Sequence, residues 1–207
     1  MRIAVVGAGS VGSALGGGWL RAGHQVTFAV RNTAAESAQA AAALGGTLVT
    51  LSEARDADAV VLAVPWTAID DTLASLGDLT DRLVIDATNP VAPPYTDLAV
   101  AGNTSGAEVI QQKIPQASVV KAFNQSGWEN LGEAISYTGQ RPVMFAAGDD
   151  DRAKAVTLGL ARDLGFEAID AGPLSMSRYL EPLAMLWIRL ANAGGLGRSF
   201  AFALVRR

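Results

Sequence analysis

The chain has 207 residues, half of them hydrophobic and 17% charged, so it can bury a substantial core, as one large domain or as a nucleotide-sized domain with a small appendage. A net charge of −4 without any basic block argues against nucleic acid or an anionic membrane surface as partner, and the absence of cysteine excludes disulfides, thiol catalysis and thiolate metal sites. No apolar run approaches the roughly 18 residues of a transmembrane helix, and a first strand beginning at residue 2 leaves no room for a signal peptide, so a cytoplasmic chain is expected.

The chain opens on Ile3-Ala4-Val5-Val6, an apolar run without alternation, as a parallel strand covered on both faces requires. It leads directly into Gly7-Ala8-Gly9-Ser10-Val11-Gly12, a G-x-G-x-x-G turn, and then into a helix over residues 10–21. In this spacing Gly7 permits the tight turn, Gly9 lets backbone approach a pyrophosphate, and Gly12 lets helix and strand pack closely. The free N–H groups and positive dipole end of the helix would hold the phosphates. With 22 glycines such spacings arise by chance, but here a strand precedes the motif, a helix follows it, and a second strand over residues 25–30 completes a βαβ start.

An acidic residue about 20 positions beyond the motif would bind the ribose hydroxyls of NAD, whereas arginine suits a 2′-phosphate. The position holds Arg31, followed by Asn32 and Thr33, so NADP(H) is predicted, against the alternative of a solvated arginine in a surface turn. An alanine-rich helix over 33–44 is ended by Gly45-Gly46, and a short strand over 47–50 follows. The run 59–64 reads as the central strand, delivering Ala63, Val64, Pro65 and Trp66 to the carboxyl edge where open α/β sheets bind ligands. A helix over 68–76 and a fifth strand over 82–86 lead to Asn89 and Pro90 at the same edge. Residues 91–103, with Pro93-Pro94 and Gly102, read as a loop and mobile cover. A helix over 105–114 and a sixth strand over 118–123, ending in Asn124, complete a doubly wound Rossmann sheet assigned to residues 1–135.

Residues 136–207 read as a small C-terminal α/β domain serving substrate pocket or dimerisation: a strand over 142–147, a helix over 149–164, a strand over 166–170, and a long helix over 175–193 that Pro182 breaks or restarts. Leu180, Leu183, Trp187 and Leu190 form one apolar stripe, read as core or as the interface of a homodimer. The tail 198–207 is expected to dock back.

Acid–base candidates are few. His24, the sole histidine, lies in a turn far from the carboxyl edge, and Asp149-Asp150-Asp151 sits where a helix begins, as capping explains; no spacing suits a metal. Of three lysines only Lys121 lies near a strand end that could face the site, so Trp66, Lys121 and Asn124 are assigned to the substrate pocket and no residue to catalysis. The edge would then be apolar with a few polar groups, suited to hydride transfer to a flat ring such as a flavin, by positioning alone. The alternatives are a small-carbonyl dehydrogenase using Lys121 as acid and a non-catalytic NADP(H)-binding redox sensor.

The runs Ile85-Asp86-Ala87-Thr88-Asn89-Pro90, Thr104-Ser105-Gly106-Ala107-Glu108, Val119-Val120-Lys121-Ala122-Phe123-Asn124, Ala147-Gly148-Asp149-Asp150, Asp170-Ala171-Gly172-Pro173-Leu174 and Leu180-Glu181-Pro182-Leu183-Ala184 together resemble the coenzyme F420-dependent NADP oxidoreductase family. They are also similar to the NADPH-oxidoreductase domain of six-transmembrane ferric reductases. The resemblance implies NADPH in the crevice with a deazaflavin (coenzyme F420) or flavin (FMN or FAD) ring stacked on the nicotinamide. Gly7, Gly9, Ser10, Val11 and Gly12 would hold the pyrophosphate, Arg31 would meet the 2′-phosphate, and Val64, Pro65, Asn89 and Pro90 would border the nicotinamide. The chain departs from the deazaflavin enzymes at Val30, where they often carry serine, and in lacking further basic residues after Arg31.

Overall fold

The computed structural model describes residues 1–91, 93, 96–132, 137 and 139–207. One eight-stranded sheet runs through the molecule in the order β3-β2-β1-β4-β5-β6-β7-β8. Its strands are β1 (Arg2–Val6), β2 (Gln25–Ala29), β3 (Thr47–Val49), β4 (Ala59–Leu62), β5 (Leu83–Asp86), β6 (Ser118–Lys121), β7 (Val143–Gly148) and β8 (Glu167–Gly172). The first six are parallel and in doubly wound order, with Val6 level with Ala29 and Leu62, Leu62 with Asp86, and Asp86 with Lys121. The uninterrupted apolar runs are explained by burial on both faces: Ile3 to Val6 and Ala59 to Leu62 are essentially inaccessible.

Among the described residues six α-helices cover the sheet: α1 (Ser10–Arg21), α2 (Glu36–Ala42), α3 (Ile69–Leu76), α4 (Gly106–Lys113), α5 (Asp151–Asp163) and α6 (Ser177–Asn192). One apolar cluster gathers Trp19, Phe28, Phe123, Leu160 and Phe166 beneath α1 and α5; a second gathers Leu62, Ile69, Leu76, Val84 and Ile110 beneath α3 and α4. Trp19 joins α1 to α5 by donating its indole N–H to the Leu160 carbonyl at 3.1 Å. α2 is shorter than expected because the Asn32 side chain accepts the Ala34 N–H at 2.9 Å and holds residues 32–34 as a turn.

Three features of the last third differ from expectation. Strand β7 runs antiparallel to β6 and β8 runs parallel to β7, so residues 143–172 extend the same sheet with its direction reversed. Pro182 neither breaks nor restarts α6, which is continuous from Ser177 to Asn192. The proline removes only the bond to the Arg178 carbonyl, and both residues are on the exposed side, where water can take that oxygen. The buried face of α6 is also turned from the expected stripe: Leu180 and Trp187 are buried, together with Ser177, Glu181, Ala184 and Ala191, while Leu183 and Leu190 are half-exposed.

The tail docks back as expected. Phe200 stacks on Trp187 with centroids 5.2 Å apart, its carbonyl accepts the Trp187 indole N–H at 2.9 Å, and the Val143 N–H donates to the Phe202 carbonyl at 2.8 Å. Asp150 caps α5 through the Ala153 N–H at 2.7 Å, which accounts for the acidic run. The expected domain boundary at 135/136 and residues 92, 94 and 95 of the expected cover lie outside the described residues. No described helix is long and apolar enough to cross a membrane.

Candidate functional site

The carboxyl ends of β1, β2, β4, β5 and β6 share one edge of the sheet, and the residues assigned to the cofactor and, Lys121 apart, to the substrate pocket fall into three groups along it.

The first is the glycine turn. Gly7 has φ +105°, and a Cβ there would lie 2.5 Å from the Ala63 carbonyl oxygen and 3.1 Å from Val64 Cγ1, so the turn is pressed against the end of β4. A Cβ on Gly12 would lie 2.0 Å from the Gly7 carbonyl oxygen. Gly9 differs: its backbone is extended, at φ −78° and ψ −172°, and a Cβ there meets nothing within 4 Å. The chain itself thus requires glycine at positions 7 and 12, while at 9 it leaves an open cradle before the first turn of α1. No side chain caps that helix among the described residues, so its leading N–H groups face the cradle with Ser10 and Val11.

The second group, Arg31, Asn32 and Thr33, is exposed beyond β2. Arg31 forms no hydrogen bond or ion pair with any described residue, so its guanidinium is available to an anion.

The third is the rim formed by Val64, Pro65, Trp66, Asn89, Pro90 and Asn124. A short helical turn over Trp66–Ala68 carries the tryptophan, and its ring reaches the start of α4: a Cβ on Gly106 would lie 3.1 Å from Trp66 Cζ3 and 3.2 Å from Pro90 Cβ. Asn89 donates to the Asn124 carbonyl at 3.0 Å, and Asn124 returns a bond to Asn89 Oδ1 at 3.1 Å while also donating to the Leu180 carbonyl at 3.1 Å. Those bonds fix the orientation of the Asn124 amide. They leave its Oδ1 buried without a partner among the described residues, an acceptor that a ligand N–H would satisfy. Next to it, Phe123 adopts φ +62°, a conformation that costs a non-glycine residue about 1 kcal/mol or more and that tends to occur at functional sites. Its ring packs edge-on to Trp19, 5.4 Å between centroids.

Lys121 does not line the pocket as assigned from the sequence. It is fully buried, and its three N–H donors go to Asp86 Oδ2 at 2.9 Å, the Thr88 carbonyl at 2.6 Å and Glu181 Oε1 at 3.0 Å. Burial works against the ammonium, but the adjacent Asp86 and Glu181 carboxylates outweigh it and hold the pKa above its ordinary value. A lysine so held cannot reach a carbonyl substrate, which removes the basis for a dehydrogenase acid. His24 lies at the other edge, 2.9 Å from Asp163. Among the described residues no group of acidic or histidine side chains could hold a metal.

Two residues that received no role from the sequence organise the rim. Asp86 accepts the Thr88 N–H and hydroxyl at 2.9 and 2.7 Å, closing the turn that presents Asn89. Glu181 accepts the Gly106 and Ala107 N–H groups at 2.9 and 3.1 Å. The signals available were an acid ending an apolar strand and a glutamate inside an apolar stripe.

Several known proteins are similar to this chain. The family described as NADP oxidoreductase coenzyme F420-dependent matches residues 2–90. A candidate F420-dependent NADP-reductase from Arthrobacter sp. FB24 is 28% identical with full coverage of both chains and a TM-score of 0.89. The hypothetical protein SMa0349 from Sinorhizobium meliloti is 30% identical, with 86% of this chain and 87% of that one covered and a TM-score of 0.77. The Rattus norvegicus metalloreductase STEAP3 is 34% identical over 119 residues, 56% of this chain; the matched stretch spans only 23% of that much longer protein.

Proposed function

We propose that this chain, which is similar over residues 2–90 to the coenzyme F420-dependent NADP oxidoreductase family, passes a hydride between NADPH and a deazaflavin or flavin ring laid against the nicotinamide. The observation that carries this reading is the fate of Lys121. With its ammonium sealed between Asp86 and Glu181, the rim offers carboxamides and apolar side chains, and no described acid or base is free to exchange a proton with substrate. A conjugated ring that absorbs the charge itself needs no such group, whereas a simple carbonyl does.

The residues present suit the dinucleotide. The cradle at Gly9 and the uncapped start of α1 would receive the pyrophosphate, and Arg31 with Thr33 would meet the 2′-phosphate. Val64, Pro65, Asn89 and Pro90 would border the nicotinamide, and the orphaned Asn124 Oδ1 suits an amide or imide N–H. NADPH supplies the hydride; the protein supplies orientation and a wall of apolar side chains that includes Trp66.

Following NADPH oxidation at 340 nm with F420, FMN and FAD tests the proposal. Turnover with at least one ring is expected. Tight NADPH binding with no turnover on any ring would favour a redox sensor and overturn the oxidoreductase reading. A homodimer is proposed as well, supported by Tyr179 and Leu186 standing 68% and 50% exposed on α6; light scattering giving a monomer mass would refute it.

A further inference from the structure

We infer that Glu181 is a positioning residue for the nicotinamide rim, so that helix α6, which bears no residue assigned to the cofactor, sets the angle at which the ring is presented. This deepens the oxidoreductase reading and rests on it.

Glu181 is 1% exposed, and every contact of its carboxylate leads to the rim. One oxygen accepts the Gly106 N–H, and the other accepts both the Ala107 N–H and the Lys121 ammonium. Through Lys121 the chain of contacts reaches the Thr88 carbonyl, one residue before Asn89. Through Gly106 it reaches Trp66 and Pro90, since the space where a Cβ would stand on Gly106 is enclosed by Trp66 Cζ3, Pro90 Cβ and Glu181 Oε1 at 3.1 to 3.2 Å. The neighbouring Leu180 carbonyl holds Asn124, and thereby Asn89. Two adjacent residues of α6 therefore tether the rim from two sides, and neither has to touch a ligand.

The charges agree with a fixed post rather than a mobile one. Asp86 and Glu181 share the single Lys121 ammonium, and Glu181 also binds the first two N–H groups of α4, at the positive end of its dipole. Arg178 clamps α6 to α4 a second time, donating to both oxygens of Glu108 at 2.9 and 2.6 Å. Such a buried, fully hydrogen-bonded set has one low-energy arrangement, and leaving any member unpaired is costly.

Glu181→Gln and Gly106→Ala test this by different routes: the first removes the charge, and the second inserts a methyl between Trp66, Pro90 and Glu181. Calorimetry with NADPH, emission from the bound reduced nicotinamide, and kcat with the accepting ring are measured for each. In both variants NADPH affinity is expected within about threefold of wild type, because the glycine turn and Arg31 are untouched, while kcat falls by about tenfold or more and the emission changes. The deciding measurement is kcat where the wild type turns over, and the emission where it does not. That deciding measurement left unchanged in a folded variant overturns the inference. So does an equal loss in affinity and kcat, or failure of both variants to fold, since either assigns the cluster to stability alone. A wild-type protein that does not bind NADPH sinks the cofactor reading and this inference together, an outcome distinct from those in the variants.

Discussion

The Gly7 carbonyl oxygen occupies the place of a side chain on Gly12: a Cβ on the second residue would lie 2.0 Å from that atom, whereas a Cβ on Gly9, between them in the chain, meets nothing within 4 Å. The two glycines therefore answer to different constraints. Gly12→Ala is expected to force the turn open, lowering stability by about 2 kcal/mol or more and taking NADPH affinity with it. Gly9→Ala is expected to melt within about a degree or two of wild type yet bind NADPH about tenfold more weakly, about 1.4 kcal/mol. Thermal melts paired with calorimetry separate them; equal loss of melting temperature in both would contradict the assignment of Gly9 to the ligand.

Arg31→Ala removes a guanidinium that has no partner among the described residues. The expected result is a roughly 10- to 100-fold rise in the NADPH dissociation constant with NADH binding unchanged, as befits hydrogen bonds to a charged group worth about 1.5–3 kcal/mol. Calorimetry with both nucleotides measures it, and an equal loss for NADH would place the arginine elsewhere than at the 2′-phosphate.

Lys121→Met leaves the Asp86 and Glu181 carboxylates buried without a cation, and a stability loss of about 3–5 kcal/mol is expected in denaturant titrations. The raised pKa of Lys121 gives the sign of the alkaline limb: its stabilisation is fully present below the ordinary value of 10.5 and is lost as pH rises through the still higher folded value. A variant as stable as wild type but inactive toward a carbonyl substrate would give Lys121 back the role of proton donor.

At the acid end, the Arg178 guanidinium, aided by the Ser105 hydroxyl, holds Glu108 below its ordinary 4.5. A depressed carboxylate stabilises above its unfolded pKa, and that contribution disappears as pH falls below 4.5 through the folded value. Glu108→Gln is expected to cost about 0.5–1 kcal/mol near pH 7, a modest sum because Arg178 is partly in water, and the difference from wild type should close as the medium is acidified. Melting temperatures from pH 7 to 3 decide it; a constant gap would refute the linkage.

The sequence made some of this legible and hid the rest for identifiable reasons. Strands β1, β4 and β5 could be placed because burial on both faces writes an unbroken apolar run. Strand β6 stops at Lys121 rather than at residue 123, and nothing local in the sequence announces that Phe123 leaves the sheet at φ +62°. The direction of β7 was hidden because Val143 to Gly148 is the same apolar run whichever way it points. The partners of Lys121 were hidden because they lie 35 and 60 residues away on elements that only the fold brings together, so a buried ammonium and an active-site one look alike in the sequence.

The reversal at β7 has a corollary for how the work is divided along the chain. Because β8 follows β7 rather than β6, its carboxyl end emerges at the edge away from the glycine turn, and the segment carrying Glu181 returns to the nicotinamide side as a helix. The proposed grip on the dinucleotide would thus come from the first 132 residues and the proposed steering of its ring from α6, although Trp19 and Leu160 tie those first residues to the later part of the chain through one core. On the proposed reading, nucleotide capture and the steering of the ring would draw on different lengths of this polypeptide.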